Sequence, residues 1–107
     1  MLREIDVRQL KAMIDGGEPV YLLDVRQPWE FAIGHLAGSS LVPLPELVRR
    51  VREVQPPAGA LVVTICHHGV RSLDAAFLLA RAGLDVASLA GGIEQWSMQI
   101  DPAVPRY

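Results

Sequence analysis

The chain has 107 residues, of which 50% are hydrophobic and 21% are charged, with a formal net charge of -2. This composition is that of one globular domain and argues against intrinsic disorder. The weak negative charge gives no basic surface for nucleic acid, and no apolar run approaches the about 20 residues of a membrane span.

Short apolar runs alternate with segments of helical periodicity along the chain. Asp6, with Gln9 three residues later, has the spacing of a helix N-terminal capping box. The predicted elements are, in order, a helix from Asp6 to the glycines 16–17, a strand over 20–25, a helix over 27–35, a strand over 40–42, a helix from Pro45 to the prolines 56–57, a strand over 60–65, a helix over 72–82, a strand over 86–90 and a short helix around 93–96. The final segment, 101–107, contains two prolines and is expected to be extended.

This alternation predicts an α/β fold with a parallel sheet covered on both faces. The run ALVVTI at 60–65 has the strongest strand character. In parallel sheets, ligands bind beyond the carboxyl ends of the strands. Cys66 directly follows this run, and we therefore expect the functional site around it.

Two sets of apolar side chains are expected to face the core. One is the stripe on the helix after Pro45, namely Leu47, Val48, Val51 and Val54. The other is aromatic, namely Trp29, Phe31, Phe77 and Trp96. Among the polar residues near strand 20–25, Asp24 and Arg26 are expected to pair with loop partners, and Glu30 with Arg26 in a local ion pair.

Cys66 is the only cysteine, so no disulfide can form within the chain and a secreted disulfide scaffold is excluded. The first ten residues, MLREIDVRQL, carry charges where a signal peptide needs an apolar core. We therefore expect a cytoplasmic protein whose thiol stays reduced.

The stretch CHHGVRS, residues 66–72, joins a predicted strand to a predicted helix. Gly69 permits a positive φ, which can turn backbone N–H groups inward around an anion. The helix N-terminus and Arg71 add positive charge. Such a loop would stabilise a thiolate at Cys66 and receive an anionic ligand. A cysteine standing alone would more simply be a small buried apolar residue.

His67 and His68 have three interpretations. A metal site with Cys66 is disfavoured, because adjacent residues rarely converge on one ion and zinc ligands are usually spaced by two or more. A Cys–His nucleophile pair would need a histidine facing the sulfur from another element. We favour the third, in which both histidines edge the pocket and donate hydrogen bonds. For each of them, a position facing solvent is the alternative.

Three stretches in order resemble the signatures of a known family. LLDVRQPWEFAIGHLAGS at 22–39 is similar to the first signature of the rhodanese family of sulfurtransferases, in its single-domain bacterial form. CHHGVRS resembles the active loop of that family, Cys-x-x-Gly-x-Arg-Ser, and LAGGIEQW at 89–96 resembles its Gly-Gly-x-x-x-Trp element. Ser39, Ser40 and Leu41 depart from the family pattern, in which alanine, any residue and asparagine are commoner at these positions. The departure lies in a connection between structural elements.

The resemblance implies one rhodanese-like domain over 1–107, with five mostly parallel strands flanked by helices on both faces. It implies that Cys66 is the catalytic nucleophile, which takes a sulfane sulfur from a donor such as thiosulfate. The persulfide would pass its sulfur to a thiophilic acceptor, either cyanide or a thiol, and a sulfur-accepting protein is a further candidate. The residues of the substrate-binding loop would be His67, His68, Gly69, Val70, Arg71 and Ser72. No cofactor, metal, nucleic acid or membrane is implied.

Two other functions remain as alternatives. A sulfur carrier or regulatory binding module would act only with protein partners, although modules with a dead site typically lack the cysteine. A cysteine-dependent phosphatase or arsenate reductase uses the spacing Cys-x5-Arg, whereas four residues separate Cys66 from Arg71. The shorter rim suits one sulfur atom better than the oxygens of a tetrahedral anion.

Overall fold

A computed structural model describes residues 2–107, so that Met1 lies outside the described residues. The strands are β1 (Leu2–Ile5), β2 (Val20–Asp24), β3 (Ser40–Leu41), β4 (Leu61–Ile65) and β5 (Val86–Leu89). The α-helices are α1 (Val7–Asp15), α2 (Pro28–Ile33), α3 (Leu44–Arg50), α4 (Val70–Arg81) and α5 (Gly92–Gln99), and a 3₁₀ turn (Val51–Glu53) follows α3. The capping box predicted at Asp6 forms at the start of α1.

All five strands form one parallel sheet in the order β1-β5-β4-β2-β3. Every residue of the central strand β4 is buried. A strand covered on both faces is apolar at successive positions, without alternation, which explains why its sequence is a continuous apolar run. The predicted α/β fold with a parallel sheet is confirmed.

Helices cover both faces of the sheet. On one face, α1 and α5 contribute Leu10, Ile93 and Trp96 to one apolar core. On the other face, α3 and α4 contribute Leu47 and Leu79 to a second core. Cys66 belongs to this second core. Within residues 2–107, no helix is both long enough and apolar enough to cross a membrane.

The edge strand β1 was not predicted, since the sequence pattern indicates no element before the first helix. Of its four residues only Ile5 is buried, and Arg3 and Glu4 are exposed. The strand is held by backbone pairing with β5, in the register Leu2 to Val86. Charged side chains are usual on an edge strand, and they remove the apolar pattern from which a strand could be predicted.

Three apolar side chains expected in the core are exposed, namely Val48 at 70%, Trp29 at 61% and Phe77 at 58%. The stripe prediction fails at Val48, which lies inside α3 one residue after the fully buried Leu47. Successive residues of a helix point about 100° apart, so Val48 leaves the face that Leu47 buries. Leu47, Val54 and Trp96 are buried as expected.

Candidate active site

Cys66 lies where the central strand β4 ends and the chain turns into α4. Gly69 adopts φ 103° and ψ 0°, in the left-handed region, and its N–H donates a hydrogen bond to Cys66 Sγ at 3.1 Å. The positive φ expected from the sequence is therefore present. A Cβ atom at this position would lie 3.0 Å from the Gly91 nitrogen, so glycine is needed here for space as well.

The sulfur of Cys66 is enclosed, since this residue is 1% exposed. Its Sγ lies 3.4 Å from Ser72 Oγ, which in turn lies 2.8 Å from Ser88 Oγ. Both serines are fully buried. A thiol at Cys66 can donate to Ser72, whereas a thiolate can accept from Ser72 while Ser88 donates to that serine. The two hydroxyls can thus serve both protonation states by rotation alone.

The N-terminus of α5 donates hydrogen bonds to the backbone carbonyls of the active loop. Ile93 donates its N–H to the Cys66 carbonyl at 2.9 Å, and Glu94 donates to the His67 carbonyl at 3.1 Å. Gly92, at φ 58°, makes this approach possible, because a Cβ atom there would overlap both carbonyl oxygens. Gly92 thus lets the last loop lie against the active loop.

Arg71 lies in the first turn of α4, because that helix begins at Val70 and not at residue 72 as predicted. Its Nη1 and Nη2 donate to the Glu30 carboxylate at 2.6 and 2.9 Å. These bonds are the main cause that lowers the pKa of Glu30 to about 2. The predicted local pair of Glu30 with Arg26 is wrong, because Arg26 forms its ion pair with Asp24 at 2.7 Å.

His67 and His68 stack on each other at the edge of the loop, with ring centroids 4.0 Å apart. The other face of His67 stacks on Tyr107 at 3.9 Å. Within residues 2–107, neither imidazole makes a hydrogen bond to the sulfur, and Nε2 of His67 is buried without a partner. Burial, followed by the charge of His68, lowers the pKa of His67. A neutral ring is thus favoured in this stack.

Of the predicted loop residues, Gly69 and Ser72 place a polar atom next to the sulfur, whereas His67 and His68 stack at the edge of the loop and Arg71 binds Glu30. Val70 stands 73% exposed at the rim. Across the described range, His, Cys, Asp and Glu side chains form no group of three or more that could hold a metal ion. Sequence reasoning missed the contributions of Glu30, Ser88 and Tyr107, which lie outside the loop motif. Only Glu30 had a signal, since it belongs to the first signature.

The comparisons with known proteins agree with this geometry. A family model described as a rhodanese-like domain matches residues 6–99. The chain belongs to the rhodanese-like family. This confirms the resemblance found in the three signatures, and at this coarse level the chain is a rhodanese-like sulfurtransferase domain.

Several relatives of this rhodanese-like chain are longer proteins. It is 34% identical over 104 residues to a probable adenylyltransferase/sulfurtransferase, MoeZ, of Mycobacterium tuberculosis, covering 96% of this chain and 26% of that protein. The chain therefore spans about a quarter of the length of the first curated relatives it matches.

Solved structures include proteins of similar length. A rhodanese-related protein from Thermoplasma volcanium is 31% identical with a TM-score of 0.80, over 96% of this chain and 95% of that one. The thiosulfate sulfurtransferase from Pseudomonas aeruginosa is 28% identical with a TM-score of 0.79, over 91% of this chain and 19% of that one.

Proposed function

We propose that this domain transfers a sulfane sulfur from a donor such as thiosulfate to a thiophilic acceptor, cyanide or a thiol, through a persulfide on Cys66. The observation that carries the proposal is the environment of Sγ, which the Gly69 N–H and the Ser72 hydroxyl approach at 3.1 and 3.4 Å. The structural similarity to the thiosulfate sulfurtransferase from Pseudomonas aeruginosa supports thiosulfate as the donor.

The reaction divides into two displacements. First, the Cys66 thiolate attacks the outer sulfur of thiosulfate; a bond from Sγ to this sulfur forms, the sulfur–sulfur bond of thiosulfate breaks, and sulfite leaves with the electron pair. Second, cyanide or a thiolate attacks the terminal sulfur of the persulfide. The bond to Sγ breaks, its electron pair returns to Sγ, and the product is thiocyanate or a new persulfide. Such a double displacement needs only one nucleophile.

The loop supplies what the negative sulfur needs. Fixed N–H groups that point to developing charge stabilise it without rearrangement. The Gly69 N–H, which donates to Sγ, and the N–H groups of the first turn of α4, which have no partner within that helix, would serve this role. Arg71, whose side chain is 34% exposed, would meet an anionic donor at the rim. Its charge is shared with Glu30, so that it would attract the anion less strongly than a free guanidinium.

Intact mass spectrometry tests the proposal. Thiosulfate should add the mass of one sulfur atom to the protein, and cyanide should then remove it. Because the chain has one cysteine, Cys66→Ser should acquire no adduct and show no thiocyanate formation, with an unchanged circular dichroism spectrum. The absence of an adduct on the wild type with both thiosulfate and glutathione persulfide would overturn the proposal, as would an adduct on Cys66→Ser.

A protein acceptor is the second candidate, and the names of the longer relatives favour it. These names join an adenylyltransferase to a sulfurtransferase in one polypeptide. A domain that serves a protein acceptor would load sulfur from thiosulfate but discharge it slowly to small molecules. Rapid loss of the added sulfur to cyanide and to dithiothreitol would favour small acceptors, whereas persistence of the adduct with both would favour the protein acceptor.

A further inference from the structure

Tyr107, in the final segment, contacts His67 of the active loop. Its ring stacks on His67 at 3.9 Å with an interplanar angle of 12°. Its other neighbour is the ring of Trp29, in an edge contact at 5.9 Å. Because Nε2 of His67 has no hydrogen-bond partner within residues 2–107, stacking is the main contact that orients this imidazole.

The hydroxyl of Tyr107 makes a separate connection. It donates to Glu30 Oε2 at 2.7 Å and accepts from Arg26 Nη1 at 3.0 Å. Glu30 also accepts the two bonds from Arg71 and one from the Gln27 N–H at 2.9 Å. The same carboxylate oxygen therefore accepts from Tyr107 and from Arg71 Nη2. Burial is the main cause that raises the pKa of Tyr107 to about 12, so the hydroxyl keeps its proton and remains a donor at neutral pH.

We propose that Tyr107 is a positioning residue for sulfur transfer, with separable roles for its two parts. The ring holds the His67 side chain next to the nucleophile, and the hydroxyl holds Glu30, which in turn orients Arg71 at the rim. This inference rests on the proposed function, because it assigns Arg71 the task of meeting an anionic donor.

The two parts should affect different steps. In the proposed reaction Arg71 would meet the donor before sulfur moves, so loosening Glu30 should weaken donor binding. His67 directly follows the nucleophile, so freeing its ring should disturb the geometry of attack, and small misplacements are costly when fixed geometry supplies much of the rate. The hydroxyl bond to a charged partner corresponds to roughly tenfold in affinity.

Three variants separate these roles in a thiosulfate and cyanide assay. Tyr107→Phe keeps the stack and loses the hydroxyl, so KM for thiosulfate should rise roughly tenfold while kcat stays within about twofold of wild type. Tyr107→Leu loses both parts, so kcat should fall as well, and the recovery of kcat in the phenylalanine variant would assign that loss to the ring. Tyr21→Phe is the matched control. Tyr21 lies near the start of β2, away from the strand end that faces the active loop, and its hydroxyl makes no hydrogen bond within residues 2–107.

A double-mutant comparison with Glu30 distinguishes a role of the Tyr107 hydroxyl in positioning Glu30 from a role in packing of the final segment alone. If the hydroxyl acts through Glu30, Tyr107→Phe should have no further effect on KM in a Glu30→Gln background. Equal additive effects in the two backgrounds would overturn the proposal. So would wild-type kinetics in Tyr107→Phe, or identical losses in the phenylalanine and leucine variants.

Alkylation of Cys66 supplies a measurement independent of turnover. Iodoacetate is an anion and iodoacetamide is neutral, so the ratio of their rates reports the positive charge that Arg71 presents. Tyr107→Phe should lower this ratio about threefold or more, with the iodoacetamide rate unchanged. If the wild type forms no persulfide but the ratio falls, only the proposed function fails. If the wild type forms a persulfide and the ratio does not change, the positioning role fails.

Discussion

Two arginines bind carboxylates near the carboxyl-terminal ends of the strands, and they differ in how completely their side chains are enclosed. Arg26 and Asp24 are both fully buried, and the three guanidinium nitrogens of Arg26 all donate to oxygen atoms. Arg71 binds Glu30 through two nitrogens and leaves 34% of its side chain in solvent. One pair is closed, and the other is open on one side.

The difference separates a structural pair from a pair that is suited to a ligand. Arg26 joins β2 to the backbone of the segment after it, through the carbonyls of Glu30 and Gly34. No donor of Arg26 is left for a substrate. Arg71 is fixed in direction by its carboxylate but keeps a face toward the solvent. Similar residue types thus hold the fold in one place and present a charge in the other.

Breaking the closed pair should have the largest effect. Arg26→Met leaves the Asp24 carboxylate buried without its partner, and loss of one member of a buried pair costs about 3–5 kcal/mol. We expect this decrease in the free energy of unfolding by urea. Arg50→Met, which removes an arginine from ion pairs on the surface of α3, is the control and should change stability little. Similar decreases in the two variants would show that enclosure does not matter.

Lowering the pH should weaken the open pair. The pKa of Glu30 is lowered from 4.5 to about 2, mainly by Arg71, so the unfolded chain binds its proton first as the pH falls. Its stabilisation is therefore complete above about pH 4.5 and is lost toward pH 2. At about 1.4 kcal/mol per pH unit, the loss is on the order of 3 kcal/mol. Urea unfolding at several pH values should show a steeper loss of stability in wild type than in Glu30→Gln, in which Glu53 and Glu94 still titrate; parallel profiles would contradict it.

Removing Arg71 should have the smallest effect on stability and a clear effect on the reaction. Arg71→Ala leaves Glu30 with its hydrogen bonds from Tyr107 and the Gln27 N–H, so the free energy of unfolding should fall by about 2 kcal/mol, less than the full loss on protonation. The kcat/KM for thiosulfate should fall severalfold or more. Arg71→Lys should recover only part of this, because lysine lacks the planar fork that binds a carboxylate through two nitrogens. A stability loss as large as that of Arg26→Met would remove the distinction between the pairs.

Local patterns in the sequence were sufficient for most of the fold. Each of these patterns depends on neighbouring residues. Short apolar runs, such as that of β4, predicted four of the five strands, and the capping box at Asp6 and the glycines marked helix ends. The fifth strand, β1, escaped because its pairing is with β5, near the other end of the chain. The exposed Trp29 and Phe77 show that an apolar residue on a helix does not reveal which face the fold will cover.

The same limit applies to the site. The loop from Cys66 to Ser72 is contiguous and has a motif, so its conformation could be expected from Gly69 and the helix that follows. Glu30 and Tyr107 reach Arg71 and His67 only after folding, and no spacing rule connects them. Glu30 was therefore assigned to its sequence neighbour Arg26, which binds Asp24 instead.

The contacts of α5 with the active loop have a consequence for the order of folding. The carbonyls of Cys66 and His67 receive their hydrogen bonds from Ile93 and Glu94, so a chain that has formed β4 and α4 alone has no fixed loop around its sulfur. The conformation of the loop around the thiol is then fixed only when the last helix docks. Hydrogen exchange at the loop amides should therefore follow the opening of α5.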